Sequence, residues 1–255
     1  MCAQDKRPAT ALAPKAKIAI IMDDIGKSRF DNAAFLLPKK VTFSILPHTD
    51  FSTQYSFKAN QQGREVMLHM PMESLHGEAL GEGALLANMF PDQVEETLLR
   101  AFDSVPHAVG VNNHMGSKLT QITLQMSALM DVLQHHELFF IDSKTTKYSK
   151  AKKIAAQYQV THAARHIFLD HYQRPEFLQQ QFNRLVRIAR KYGKSIGIAH
   201  PYPVSIEFLQ YALNNLPDDV ELISASEYFT QAQSFRYVRP AIAKQAPPQT
   251  TQAPK

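Results

Sequence analysis

Short apolar runs alternate with longer amphipathic segments along almost the whole chain, and this alternation restricts the fold more than any other feature. The strand-like runs are residues 18–22, 41–46, 65–68, 108–111, 138–141, 160–163, 195–199 and 220–223. Most are short and apolar, the pattern of strands covered on both faces. Three helices are legible between them. Residues 92–102 follow Pro91 and repeat Val94, Leu98, Leu99 and Phe102. Residues 120–135 place Ile122, Met126, Leu129, Met130 and Leu133 on one face, and residues 175–192 do the same with Phe177, Leu178, Phe182, Leu185 and Ile188. Strand–helix alternation implies a parallel sheet in an α/β fold. About eight strands in roughly 220 residues suit a closed or nearly closed (β/α) barrel better than two domains. Residues 77–88 hold three of the nine glycines and show no period. They read as a loop over one end of the barrel, placed to act as a substrate lid.

Charge divides the chain into a core and two tails. The formal net charge is +5, but residues 1–17 contribute +3 and residues 236–255 contribute +4, leaving −2 between them. The tails also hold six of the 15 prolines. The sequence thus divides into an N-terminal tail over 1–16, a barrel domain over 17–235 and a Pro-rich basic tail over 236–255, both tails reading as poorly ordered. A central basic face for nucleic acid is not visible, so no nucleic-acid partner is expected. No apolar run approaches the ~20 residues of a membrane span. A single cysteine, Cys2, excludes a disulfide framework and a Cys-rich zinc site. The first 17 residues lack the apolar stretch of a signal peptide, which leaves a cytosolic chain or a mature exported one. Cys2 after Met1 reads either as the remnant of a lipoprotein cleavage site or as chance.

The polar residues that end the strands carry the chemistry. The first run ends in Asp23-Asp24, the second in Pro47-His48, and the third in His69-Met70-Pro71-Met72-Glu73. The fourth ends in Asn112-Asn113-His114-Met115-Gly116-Ser117, the fifth in Asp142-Ser143 and the seventh in His200-Pro201. Each alone has a plain structural reading: Asp24 or Asp142 as a helix cap, His69 as a core histidine, Asn112-Asn113 as turn residues. Glu73, His48 and Asp170 are read as structural. Caps and core histidines have no reason to gather at one end of successive strands, yet barrel strands share their C-terminal face, where active sites lie. Imidazole and carboxylate together suit a divalent ion with three protein ligands and water, most of all zinc. Asp24, His69 and His114 are the candidate ligands, with Glu73 the alternative to His114. Metal-assisted hydrolysis of an acyl or phosphoryl bond follows as the reaction class. Asn113, Ser117, Ser143 and Pro201, from the same strand ends, are the candidates for substrate contact.

In order and spacing, these segments resemble the divergent polysaccharide deacetylases, a branch of the NodB-like carbohydrate esterases. The resemblance runs from about Lys17 to about Phe229 and rests on six segments: IAIIMDDIG, TFSILP, GREVMLHMPME, GVNNHMGS, FFIDS and GIAHPYP. It implies a distorted (β/α) barrel of about seven or eight parallel strands, metal-dependent removal of acetyl groups from an N-acetylated polysaccharide or peptidoglycan-type glycan, and a periplasmic or exported location in bacteria. Residue by residue, it makes Asp23 the general base, Asp24 a metal ligand, His69 the first histidine of a His-x-x-x-His motif and His200 the general acid. Asp142 is the candidate carboxylate beside His200. The second histidine of that motif is replaced by Glu73, and the arginine-proline motif of ordinary deacetylases is not evident. A non-catalytic glycan- or partner-binding envelope protein that keeps the barrel is the alternative reading, and a metal-dependent phosphoesterase a third. The oligomeric state is not legible.

Overall fold

The computed structural model describes residues 14–229. The assignments made for residues 1–13 and 230–255 lie outside the described residues. Among the described residues the strands are β1 (Ala16–Ile25), β2 (Thr42–Ile45), β3 (Val66–Met72), β4 (Ala108–Met115), β5 (Phe139–Asp142), β6 (His162–Ala164), β7 (Ile167–Phe168), β8 (Lys194–Ala199) and β9 (Val220–Ile223). The α-helices are α1 (Ser52–Gln61), α2 (Pro91–Ser104), α3 (Thr123–His135), α4 (Ala151–Gln157), α5 (Pro175–Tyr192) and α6 (Pro203–Asn214). Every strand pairing is parallel, in the order β6-β5-β4-β3-β2-β1-β8-β7. Along one edge of β1, β9 pairs with Ala16–Ala19 and β2 takes over from Ile21.

The two ends of this strand order are consecutive in the chain. β6 pairs with β5 and β7 pairs with β8, and only Arg165 and His166 separate them. The Arg165 amide donates to Asp142 O at 2.9 Å and the His166 amide to Ile196 O at 2.9 Å. One kinked segment therefore closes the sheet into a distorted barrel, as the sequence pattern predicts. β7 escaped that pattern because two residues cannot show a period.

Period-two alternation divides the core. Ile18, Ile20, Met22, Val66, Leu68, Met70 and Phe140 face outward and pack under the helices. Ala19, Ile21, Met67, Phe139, Ile141, Ile196 and Ile198 fill the barrel interior. Asp23, His69, Ser143 and His200 continue the interior series of β1, β3, β5 and β8. The sequence thus dictates that the polar ends of these strands converge above an apolar plug.

Two bulges extend this set. In β1, Met22 pairs with Phe43 but Ile25 with Ile45, so three steps oppose two. Asp24 absorbs the extra residue at φ +58°, a left-handed conformation that Asp tolerates better than most residues. In β4, Val66 pairs with Ala108 but Leu68 with Val111, again one residue too many. Val109 faces the interior, yet Val111 faces outward. The shift turns Asn112 and His114 inward.

Gly110 sits in the second bulge, and a β-carbon there would lie 2.5 Å from the Phe139 ring. Gly110→Ala should therefore lower the unfolding free energy by about 1–3 kcal/mol, as overpacking does. Urea denaturation of the two proteins checks this.

Candidate metal centre and acid–base site

Asp24 Oδ1, His69 Nε2 and His114 form a compact triangle. Asp24 Oδ1 lies 3.1 Å from His69 Nε2 and 3.0 Å from His114 Nδ1, and the two ring nitrogens are 3.2 Å apart. They are the sole metal-compatible cluster of three such side chains among the described residues. Asp24 Oδ1 is buried without a hydrogen-bond donor, an arrangement that costs free energy unless a cation meets it. Tetrahedral zinc with bonds of ~2.0–2.1 Å spaces its ligand atoms roughly 3.3 Å apart. The spacing, the donor types and the orphaned oxygen all fit a small divalent ion. His69 is 2% exposed at its side chain, whereas Asp24 and His114 are 25% and 19% exposed, so the centre opens to solvent on their side.

Glu73 has other work. Its carboxylate accepts the Ala87 amide at 2.6 Å and pairs with Lys118. Its carbonyl accepts the amides of Lys118 and Leu119. It clamps the 77–88 loop to the turn after β4, and the third position of the triangle belongs to His114. Within that loop Leu85 is buried and bridges Met72, so its end is anchored while its glycine-rich middle lies at the surface.

Asn112, which the sequence alone presents as a turn residue, organises the centre. The Asn112 side chain is buried, and its Oδ1 accepts His69 Nδ1 at 2.8 Å and the Ser44 hydroxyl. An amide oxygen only accepts, so Nδ1 carries the His69 proton and Nε2 turns its lone pair to the triangle. Asn112 Nδ2 donates to Asp23 Oδ1 at 2.8 Å and to Ser143 Oγ at 3.3 Å. Asp23 Oδ2 is left facing the centre, 3.7 Å from His69 Nε2. Burial lifts the Asp23 carboxyl above its ordinary range, although His69, His200 and Asn112 pull it back. For Asp24, burial opposes ionisation and the two imidazoles outweigh it, holding the carboxylate well below its usual value. For His69, burial opposes the charged form, but Asp23 and Asp24 raise its pKa.

His200 stands at the end of β8, but its partner is Asp170 rather than Asp142. His200 Nδ1 donates to Asp170 Oδ1 at 2.9 Å, and Asp170 Oδ2 accepts the His200 amide at 2.6 Å and the Ser205 hydroxyl at 2.8 Å. Burial disfavours the imidazolium, yet the Asp170 contact and charge, with Asp23 and Asp24 beyond, carry His200 up to about 9. Asp142 falls on the outward-facing series of β5 and accepts the Lys144 amide at 2.8 Å. One residue of strand phase separates the two outcomes. Asp170 follows β7, the strand too short to read, which is why it passed as structural.

The proposed substrate contacts are mostly engaged elsewhere. Asn113 is buried, its amide donating to Met115 O at 2.7 Å and its oxygen accepting the Ser143 amide at 2.9 Å. It latches two strand ends together rather than offering a free group. Ser117 Oγ accepts the Leu75 amide at 2.9 Å. Ser143 is buried beside Asn112, and Pro201 is half-buried next to His200.

The model of the family described as divergent polysaccharide deacetylase matches residues 20–229. The chain belongs to that family. YibQ of Escherichia coli K12, an uncharacterized protein, is 35% identical over 218 residues, spanning 85% of this chain and 68% of YibQ. The crystal structure of the uncharacterized protein ATU2773 from Agrobacterium tumefaciens shares the fold with a TM-score of 0.79 at 22% identity, over 86% of this chain and 91% of that one. The Bc1960 peptidoglycan N-acetylglucosamine deacetylase aligns with a TM-score of 0.54 at 11% identity, over 87% and 91% of the two chains. The deacetylase barrel is therefore the fold of this chain.

Two measurements probe the centre. Asn112→Ala should weaken zinc binding by about 10–100-fold, as losing a ligand's orienting partner does, and His114→Ala should weaken it further; competition with a chromogenic chelator reads both. The second concerns pH. The folded pKa of His200 lies above the unfolded value of ~6.5, so its stabilising contribution is complete below pH ~6.5 and is lost as pH rises through about 9. Asp170→Asn removes the cause of that rise. The gap in melting temperature between wild type and Asp170→Asn should therefore narrow between pH 6 and pH 10.

Proposed function

We propose that this chain is a metal-dependent hydrolase that removes acetyl groups from N-acetylated amino sugars of a bacterial cell-wall glycan. The observation that carries the reading is the pairing of a cation-ready Asp24–His69–His114 triangle with an adjacent buried carboxylate, Asp23, and an imidazole lifted to about 9, His200. Family membership and the deacetylase barrel support it. A divalent ion held by the triangle, zinc by the donor set, would supply Lewis acidity toward an amide carbonyl and lower the pKa of water.

The remaining work falls to the chain's own side chains. Asp23 Oδ1 is fixed by Asn112, so Oδ2 is the atom that takes a proton from the attacking water. Desolvation moves this carboxyl toward neutrality, where a base works best. His200, held through Nδ1 by Asp170, presents Nε2 and gives its proton to the leaving nitrogen. Amide hydrolysis needs that donation because an amide anion is too basic to leave unaided. The same carboxylate that raises His200 keeps it charged through neutral pH. We place the protein in the bacterial periplasm or outside the cell, where such a glycan is found. No helix among the described residues is long and apolar enough to cross a membrane.

The test compares two neighbouring substitutions. Asp23→Asn should keep its metal and fold but lose turnover by ~10²-fold or more, while Asp24→Asn should lose metal first. Metal content and acetate release from chitooligosaccharides and peptidoglycan fragments, measured side by side, decide. Full activity in Asp23→Asn would remove it as the base, and absence of acetate release from any metal-loaded protein would sink the hydrolase reading.

A further inference from the structure

The core's modest negative charge hides a steep separation. Residues 144–174 hold seven Lys and Arg against one acid, Asp170, a net +6, whereas the whole chain carries +5. All other residues therefore sum to −1. The lone acid of this stretch has a side chain with 0% exposure and is spent on His200. Asp142, just before the stretch, is buried and turned to the Lys144 amide. No acid within the stretch therefore offsets its positive charge at the surface.

The fold brings this charge to the mouth of the centre. All strands are parallel, so the turns after β4, β5 and β7 share the face that holds the Asp24–His69–His114 triangle. Lys144 follows Ser143, whose hydroxyl touches Asn112. The Thr145 hydroxyl donates to Met115 O at 2.9 Å, one residue past His114, and the Lys150 amide donates to Thr120 O at 2.8 Å. Arg165 donates from Nε to Ser143 O at 2.7 Å and to Lys144 O at 3.1 Å, with its guanidinium 3.6 Å from the Phe168 ring centre. Lys144, Lys147, Lys150 and Arg174 are exposed. Tyr148 is 62% exposed beside Lys147, and Tyr172 is 53% exposed beside Arg174. Exposed cations interleaved with aromatic faces suit a sugar chain that carries negative groups, since rings stack and charges pair.

We propose that the glycan taken by this site is polyanionic, with carboxylate or phosphate groups on sugars flanking the N-acetylated one and lying across Lys144, Lys147 and Arg174. This deepens the deacetylase reading and rests on it for the reaction, but not for binding. Exposed cations on the turns beside the centre raise the local concentration of such a chain and make its capture depend on salt.

The test uses the zinc-loaded full chain carrying Asp23→Asn, so that binding is read without turnover. Three probes of equal length are compared by fluorescence anisotropy: neutral chitohexaose, a hyaluronan hexasaccharide with its regular carboxylates, and chitohexaose phosphorylated at O6. At low salt at least one anionic probe should bind about tenfold or more tightly than chitohexaose, and that gap should close as salt rises. Whichever anionic probe leads identifies the carboxylated or the phosphorylated source. Adding Lys144→Gln and Lys147→Gln should shrink the gap several-fold with the melting temperature unchanged. Equal binding of all three glycans, a gap insensitive to the two substitutions, or equally tight binding of a single-stranded oligonucleotide of matched charge would overturn the proposal. If an anionic glycan leads and the unmutated enzyme releases no acetate from it, the proposal stands and the deacetylase reading falls.

Discussion

A barrel strand offers the interior every second side chain, and a reactive centre needs more than that. The site of this protein depends on breaking the rule twice. One extra residue in β1 lets Asp24 join Asp23, so consecutive carboxylates serve the same cavity. One extra residue in β4 exchanges the phase of the strand after Gly110, and both Asn112 and His114 come to face inward. Without the first bulge the triangle loses its carboxylate, and without the second it loses an imidazole and the amide that aims the other. The regular alternation below both bulges supplies the opposite service, a dry floor of Ala19, Ile21, Met67, Phe139, Ile141, Ile196 and Ile198 that leaves the polar groups above it poorly hydrated.

Poor hydration makes each charge there expensive, and the chain answers with shared partners. Asn112 is neutral, yet it restrains a carboxylate with its nitrogen and an imidazole with its oxygen. Asp170 restrains one histidine through both ring and backbone. The two arrangements have opposite electrostatic effects. Asn112 fixes a tautomer without adding charge, which leaves His69 available to a cation. Asp170 adds a full negative charge behind His200, which keeps that ring protonated. Two histidines of one site are thus set up differently because the groups behind them differ.

The strands and the three long helices were legible because each shows several turns or pleats of one period. Residues 175–192 match α5 end to end, since Pro175 marks its first position and Gly193, at φ +84°, ends it. α1 was not legible, because its sequence is polar around most of its circumference and no side chain caps it. The convergence of Asp23, Asp24, His69, His114 and His200 followed from strand-end placement alone. The network behind them did not, because it depends on strand phase: Asn112, Asn113 and His114 are adjacent in sequence, and a bulge that leaves no mark in composition decides which of them look inward. Asp142 and Asp170 show the same limit, each an Asp at a strand end, with only the register telling which one meets His200. The choice between Glu73 and His114 likewise needed the third dimension.

The seam between β6 and β7 carries a consequence of its own. A closed barrel has no free strand edges, but here closure depends on the short connection through Arg165 and His166. Were that connection to slip, β6 and β7 would each become the rim of an open sheet, with amides and carbonyls seeking new partners. Arg165 is placed against this, its guanidinium fastened to the carbonyls of Ser143 and Lys144 and stacked on Phe168 across the junction. An arginine beside the candidate centre is thus also what guards this seam against a neighbouring molecule's strand, so loss of that one side chain should surface as self-association before it surfaces as unfolding.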